Sequence, residues 1–207
     1  MNTISCLFLD IGGVLLSNGW GHDFRHKAAE KFHLDNKEME ERHNIMFVTY
    51  EEGKITSKEY LDRVIFYKKR DFTFDEFVDF MFSLTTPHED MIAFIKKLKQ
   101  QYCLKIVAVS NEARELNAYR IQTFRLNSVI DFFVSSCYAH IRKPDARIFK
   151  LALDMVQVPE NEVVYIDDVQ MFTDIATGLG IQSICHKDYL STAQALAQLG
   201  LITDKHS

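Results

Sequence analysis

Asp10, Ser110, Lys143 and the pair Asp167-Asp168 are the residues of this 207-residue chain whose types and settings suit them for chemistry. Each stands at or just beyond a short apolar run. Asp10 ends Ile4 to Leu9 and leads into Gly12-Gly13, and Ser110-Asn111 ends a run from Lys105 to Val109. Arg142-Lys143-Pro144-Asp145 follows Phe132 to Ser135, and Asp167-Asp168 ends Val163 to Ile166. Taken singly, each has an ordinary reading as a turn residue, a helix cap or a solvated cation. Taken together at four strand ends, they bring carboxylates, a hydroxyl, an amide and a cation to one edge of a sheet, where open parallel sheets bind ligands. Clustered carboxylates repel and raise one another's pKa, so they stay ionised only beside a cation. Hard oxygen donors select Mg²⁺, which takes its remaining oxygens from water and a substrate phosphate. Lys143, the Ser110 hydroxyl and the backbone N–H groups of Ile11 to Gly13 suit further phosphate oxygens. Asp10 is the carboxylate best placed to attack, because the glycine turn lets backbone approach the phosphorus closely.

These residues need elements to position them. The apolar runs 4–9, 105–109, 132–135, 163–166 and 181–185 read as strands. Helices are predicted over 111–124 and 145–156, and from Asp167-Asp168 to Gly178, with Ser191 and Gln194 capping a last one. Thr86-Pro87-His88-Glu89 predicts a helix start, with Thr86 as cap and Pro87 in the first position, running to about Tyr102. Such alternation implies a parallel sheet with helices on both faces.

Residues 22–86 carry no strand signal and read as helices. Asn36 to Tyr50 is charged on one face, and Thr56 with Glu59 and Thr73 with Glu76 form capping-box patterns. Phe72, Phe74, Phe77, Phe80 and Phe82 are expected to form the core of a small bundle. The expected architecture is α/β: a Rossmann-like doubly wound parallel sheet core, residues 1–17 and 87–207, with an inserted α-helical cap, residues 18–86.

A net charge of −5 argues against a nucleic-acid partner or a basic membrane-surface protein. No apolar run approaches the ~18 residues of a spanning helix. The run from Ile4 to Leu16 is broken by Asp10, and the first basic residue is Arg25, so it does not read as a secretory leader. Cys6, Cys103, Cys137 and Cys185 are isolated thiols whose spacing fits no zinc pattern, and they read as reduced, mostly buried cysteines of a cytoplasmic protein. The expected form is a monomer or homodimer with no membrane partner.

The four segments resemble the haloacid dehalogenase-like (HAD) superfamily. Its first motif, Asp-x-Asp-Gly-Val/Thr, stands here as Asp10-Ile11-Gly12-Gly13-Val14, and its second, a Ser or Thr ending the next strand, as Val109-Ser110-Asn111. Its third, a Lys often in Lys-Pro-Asp, is Lys143-Pro144-Asp145, and its fourth, an acidic pair followed by a glycine, is Asp167-Asp168 with Gly180. The helical stretch sits where the subfamily with an α-helical (C1) cap carries its lid. The nearest branch contains sugar-1-phosphate phosphatases and the N-terminal phosphatase of soluble epoxide hydrolases. The resemblance implies a Mg²⁺-dependent phosphatase of small phosphorylated metabolites. Asp10 would be the nucleophile and a metal ligand, forming an aspartyl-phosphate. Ser110, Asn111, Gly13 and Lys143 would hold the phosphoryl group. Asp168 and the Gly12 carbonyl would bind the metal directly, with Asp167 in an outer position.

The sequence departs from the pattern at Gly12, where the family carries the Asp that protonates the leaving alcohol and then activates water. General acid–base help is typically worth ~10²–10⁴-fold. Another group such as His22, Asp23 or Glu112 would have to replace it, or a metal-bound water would, or the substrate would need a good leaving group such as a sugar-1-phosphate or acyl phosphate. Two rivals share the fold: a 2-haloacid dehalogenase, in which Asp10 attacks carbon without a metal, and a catalytically weak protein that binds phosphorylated ligands. Phe172 stands where related sequences often carry Asn or Asp, with packing as its expected role. Trp20, His22 and Arg25 are candidates to line the substrate pocket when a lid closes. Arg42 and His43 read as surface residues.

Overall fold

The computed structural model describes residues 3–203. Five strands form one sheet in the order β3-β2-β1-β4-β5. They are β1 (Cys6–Leu9), β2 (Lys105–Ser110), β3 (Phe132–Ser135), β4 (Val163–Asp167) and β5 (Gln182–Cys185), and all pairs are parallel. Strand side chains alternate between faces. Leu7 and Leu9 therefore join Ile106, Ala108, Val164 and Ile166 in one apolar layer. Cys6 and Phe8 join Val107, Val109, Val163 and Tyr165 in the other. Both layers are covered, which explains why the strands read as continuous apolar runs rather than alternating ones. Helix α5 (Glu89–Tyr102) covers the first layer with Met91, Phe94, Ile95 and Leu98. Helix α8 (Arg147–Val156) covers the second with Ile148, Phe149, Ala152 and Val156.

The remaining elements of the sheet layer are α6 (Arg114–Thr123), a short α7 (Ser136–Ala139), α9 (Gln170–Gly178) and α10 (Tyr189–Gln198). The sequence did not signal α7. Several predicted helix starts shift. Pro87 lies outside α5, in an antiparallel bridge with Leu16, and His88 occupies the cap position. Helix α6 begins three residues later than expected, because Asn111 and Glu112 are drawn into long-range hydrogen bonds described below. Asp188, rather than Ser191, caps α10 by accepting from the Ser191 N–H at 2.8 Å.

Helices α1 (His22–Lys31), α2 (Asn36–Glu51), α3 (Ser57–Val64) and α4 (Phe74–Ser83) fill the stretch between β1 and α5. Both capping boxes form, at Thr56 with Glu59 and at Thr73 with Glu76. The four helices enclose their own apolar cluster, with Tyr50, Tyr60, Leu61 and Phe77 fully or nearly buried. Phe32 lies at its aromatic centre, 4.5 Å from Phe72 and 5.0 Å from Phe77 between ring centroids. Phe82 is not part of it; its ring packs 4.9 Å from Tyr119 on α6. His43 is not a surface residue either. It is buried, with Nδ1 2.7 Å from the Tyr60 hydroxyl. The two connections to the sheet layer run side by side: Ser17 N–H donates to Thr86 O at 2.8 Å and His88 N–H to Leu15 O at 2.9 Å. Among the described residues, no helix is long and apolar enough to cross a membrane. Cys6 and Cys137 are buried and Cys185 half-buried, whereas Cys103 is exposed.

Candidate active site

The strand order reverses direction at β1, so the crevice opens between the ends of β1 and β4. Leu9 lies level with Ile166, and the Asp10 N–H donates to Ile166 O at 2.9 Å. This register brings Asp10 beside the Asp167-Asp168 pair. The three carboxylates each offer an oxygen within 4.8 Å of the others.

Lys143 stands between two of them. It is fully buried, with Nζ 2.6 Å from Asp167 Oδ2 and 3.0 Å from Asp10 Oδ2. Burial alone would lower its pKa, but the two carboxylates outweigh burial and hold it above the ordinary lysine value. The reading of Lys143 as a solvated loop cation is thereby excluded. Phe172, 5.0 Å from Nζ to ring centroid, covers the ammonium with an aromatic face, a contact an Asn or Asp there would not supply.

Asp10 is held at both oxygens: Oδ1 accepts the Ile11 N–H at 2.8 Å while Oδ2 faces Lys143. Burial pushes its carboxyl up to about 6; Lys143 opposes the rise and Asp167 adds to it. Asp167 is fully engaged, with Oδ2 bound by Lys143 and the Tyr165 hydroxyl and Oδ1 accepting the Val169 N–H at 2.8 Å. Asp168 is the freer carboxylate. It is half-buried and accepts one long hydrogen bond, 3.4 Å, from Asn18 Nδ2. Partial burial and the neighbouring Asp167 raise its pKa.

Gly13 is in the left-handed region at φ 73°, and a Cβ there would run into the Asp168 carboxylate. Only glycine permits this close approach. Its amide, however, does not wait for a phosphate as expected; it donates to Leu16 O at 2.8 Å and closes the turn. Asn111 is likewise occupied. Its side-chain amide donates to Lys143 O at 2.9 Å and accepts the Lys143 N–H at 2.8 Å, which fixes the loop that carries the lysine. Ser110 is buried at the end of β2 and its hydroxyl lowers the Asp10 pKa alongside Lys143.

Above these residues lies a cavity of about 290 Å³, lined by Asp10, Gly12 and Asp168 from the sheet and by Trp20, His22 and Arg25 from the helical layer. Trp20 Nε1 donates to the Tyr60 hydroxyl at 2.9 Å. Arg25 has all its guanidinium nitrogens engaged, by Glu40 at 2.7 and 2.8 Å and by Trp20 O at 2.6 Å. Both therefore shape the wall rather than offer free donors. His22 is exposed at the rim and Asp23 lies outside the lining. The sequence reading did not single out Asn18, Glu51 or Arg120, all of which line the cavity. Arg142 does too, and its Nε donates to Glu51 at 2.9 Å across the two layers.

Carboxylates and a buried lysine thus stand at the switch point of a doubly wound, Rossmann-like sheet, where folds of this class bind ligands. A model of the haloacid dehalogenase-like hydrolase family matches residues 4–178, and the chain belongs to that family. A HAD family enzyme from Bacteroides thetaiotaomicron, solved with magnesium and inorganic phosphate, superposes with a TM-score of 0.75 at 20% identity, over 89% of this chain and 94% of that one. The L-2-haloacid dehalogenase of Xanthobacter autotrophicus superposes with a TM-score of 0.63 at 13% identity, over 97% and 85%. A stretch of 73 residues, 35% of this chain, is 38% identical to bifunctional epoxide hydrolase 2 of Sus scrofa and spans 13% of that protein's length.

Proposed function

We propose that this hydrolase is a phosphatase of small phosphorylated metabolites in which Asp10 attacks phosphorus. The observation that carries the reading is the freedom of Asp168. It leaves an all-oxygen donor set open beside a nucleophile whose other flank is held by a buried ammonium. Asp10, Asp168 and the Gly12 carbonyl would hold a divalent cation such as Mg²⁺, with Asp167 behind them anchoring Lys143. The donors are hard oxygens, and Gly13 has no Cβ to block Asp168, so the residues suit such an ion. When bound, the ion would neutralise charge on the phosphoryl oxygens. The Asp10 carboxylate would attack in line, its orientation fixed by the Ile11 N–H and Lys143. Lys143 and Ser110 would steady the phosphoryl oxygens as charge develops on them. Water would then release phosphate from Asp10.

The stretch 18–86 would serve as the cap. Its paired connections at Ser17–Thr86 and Leu15–His88 form a narrow joint about which the helical layer could move. The cavity it covers suits a small leaving group rather than a polymer. Unpaired thiols fit a reducing compartment such as the cytoplasm.

The test is hydrolysis of an aryl phosphate with added Mg²⁺ and with a chelator. Turnover is expected with Mg²⁺ and loss of it with the chelator. The dehalogenase reading draws support from Gly12, since attack on carbon needs no acid at that place. Halide release from chloroacetate in the presence of chelator, with no phosphate release from the aryl ester, would favour it.

A further inference from the structure

A phosphatase without a carboxylate at position 12 needs its proton from elsewhere, and the cavity holds a specific candidate. Glu112 follows Ser110 and Asn111 past the end of β2, and its N–H donates to Ser136 Oγ at 3.0 Å, which pins the loop before α6 begins. Its side chain is buried and lines the same cavity as Asp10 and Gly12. Arg120 Nη1 binds Oε2, and Oε1 faces Gly19. That oxygen lies against Gly19: a Cβ on Gly19 would stand 2.7 Å from it. The Gly19 nitrogen in turn lies 3.7 Å from where a Gly12 Cβ would be. Gly19 thus stands between the Glu112 carboxyl and the space that the missing side chain would fill, its lack of a Cβ leaves room for Oε1, and all three residues line the one cavity.

The other titratable groups on the cavity wall are committed or remote. His43 is tied to the Tyr60 hydroxyl, and burial, with Arg25 nearby, pushes its pKa down to about 4. Glu51 is clamped by Arg142 at 2.8 Å. His22 is two-thirds exposed, with its side chain 66% accessible and beside Asp23. Arg120, in contrast, is built to hold Glu112. It is buried, its Nη2 donates to Ser17 O at 2.5 Å, and its Nε has no partner.

We propose that Glu112, oriented by Arg120, is the general acid and base of this enzyme, standing in for the carboxylate absent at Gly12. The inference rests on the phosphatase reading above. In the first step the Asp10 carboxylate bonds to phosphorus and the bond to the leaving oxygen breaks. Its electron pair stays on that oxygen, which takes the Glu112 proton. In the second step Glu112 takes a proton from water as the water oxygen bonds to phosphorus, and the Asp10–phosphorus bond breaks with its pair returning to Asp10. Glu112 ends protonated, ready for the next cycle. Burial, with Glu51 and Asp10 nearby and Arg120 opposing, pushes its carboxyl up to about 7, so both forms are populated near neutral pH.

The test compares first-turnover rates of Glu112→Gln and wild type on an aryl phosphate and on glycerol phosphate. An aryloxide leaves without a proton and an alkoxide does not. Glu112→Gln is expected to lose on the order of 10²–10⁴-fold on glycerol phosphate. On the aryl ester it should give a normal burst of one equivalent followed by slow turnover, because water activation is also lost. An equal loss on both substrates would mark a structural role and overturn the proposal, as would no loss on glycerol phosphate. Should the variant fail to fold, wild type decides: first-turnover rates across leaving groups should vary little, and a steep preference for aryl esters would overturn the assignment. If wild type hydrolyses neither substrate, the phosphatase reading itself falls.

Discussion

Asp10→Asn is expected to lower aryl phosphate turnover by on the order of 10⁴-fold or more while the protein still folds. The amide oxygen is a poor nucleophile, so no covalent step begins. Folding should survive, because Lys143 keeps its shorter contact, 2.6 Å to Asp167, when the contact to position 10 is weakened. The substitution also removes a carboxylate that burial already disfavours in its charged form. Steady-state kinetics beside a thermal melt checks both halves. Unchanged turnover would remove Asp10 from the chemistry.

Lys143→Met is expected to have the largest effect on stability. The lysine is fully buried between Asp10 and Asp167, and Met removes the only cation among the described residues in contact with both. Breaking such a buried pair by deleting one partner costs about 3–5 kcal/mol, because the carboxylates left behind remain desolvated and face each other. For a domain of this size that corresponds to a fall in Tm of roughly 6–20 °C. Turnover should fall as well, since nothing then holds the phosphoryl oxygens on that side. Denaturant unfolding of the variant measures the first effect. A loss below about 1 kcal/mol would mean the pair is not the buried triad described, because exposed pairs contribute that little.

The sheet and the residues at its strand ends were legible because both signals are local. Each strand is a short apolar run, and each run stops at a polar residue that the next loop displays. Their order along the chain, read with the resemblance, was enough to bring Asp10, Ser110, Lys143 and Asp167-Asp168 to one edge. What escaped were contacts made across long stretches of chain. Asn111 reads locally as a helix cap, yet its side chain closes on the Lys143 backbone, and nothing near Asn111 signals that partner. Gly13 reads as a phosphate cradle, yet its amide closes the turn to Leu16, and its necessity comes from Asp168 at the far end of β4. Phe172 reads as a packing residue, yet what it packs on is the buried Lys143 ammonium, which nothing near it in sequence signals. His43 reads as a surface residue and Arg25 as a pocket-lining one, because their burial and pairing depend on how α1, α2 and α3 pack on one another. The Glu112–Arg120 pair lies within one segment, but its relevance depends on Gly19, which comes from the other side of the insertion.

Catalysis by this route requires phosphorus to become bonded to the Asp10 carboxylate. The most direct measurement is to quench the enzyme in acid during aryl phosphate turnover, reduce with borohydride and map the products by peptide mass spectrometry. An acyl phosphate at Asp10 would be reduced to homoserine at that position, and only when substrate had been present. Homoserine at another aspartate, or none anywhere while phosphate is being released, would contradict the mechanism at its centre.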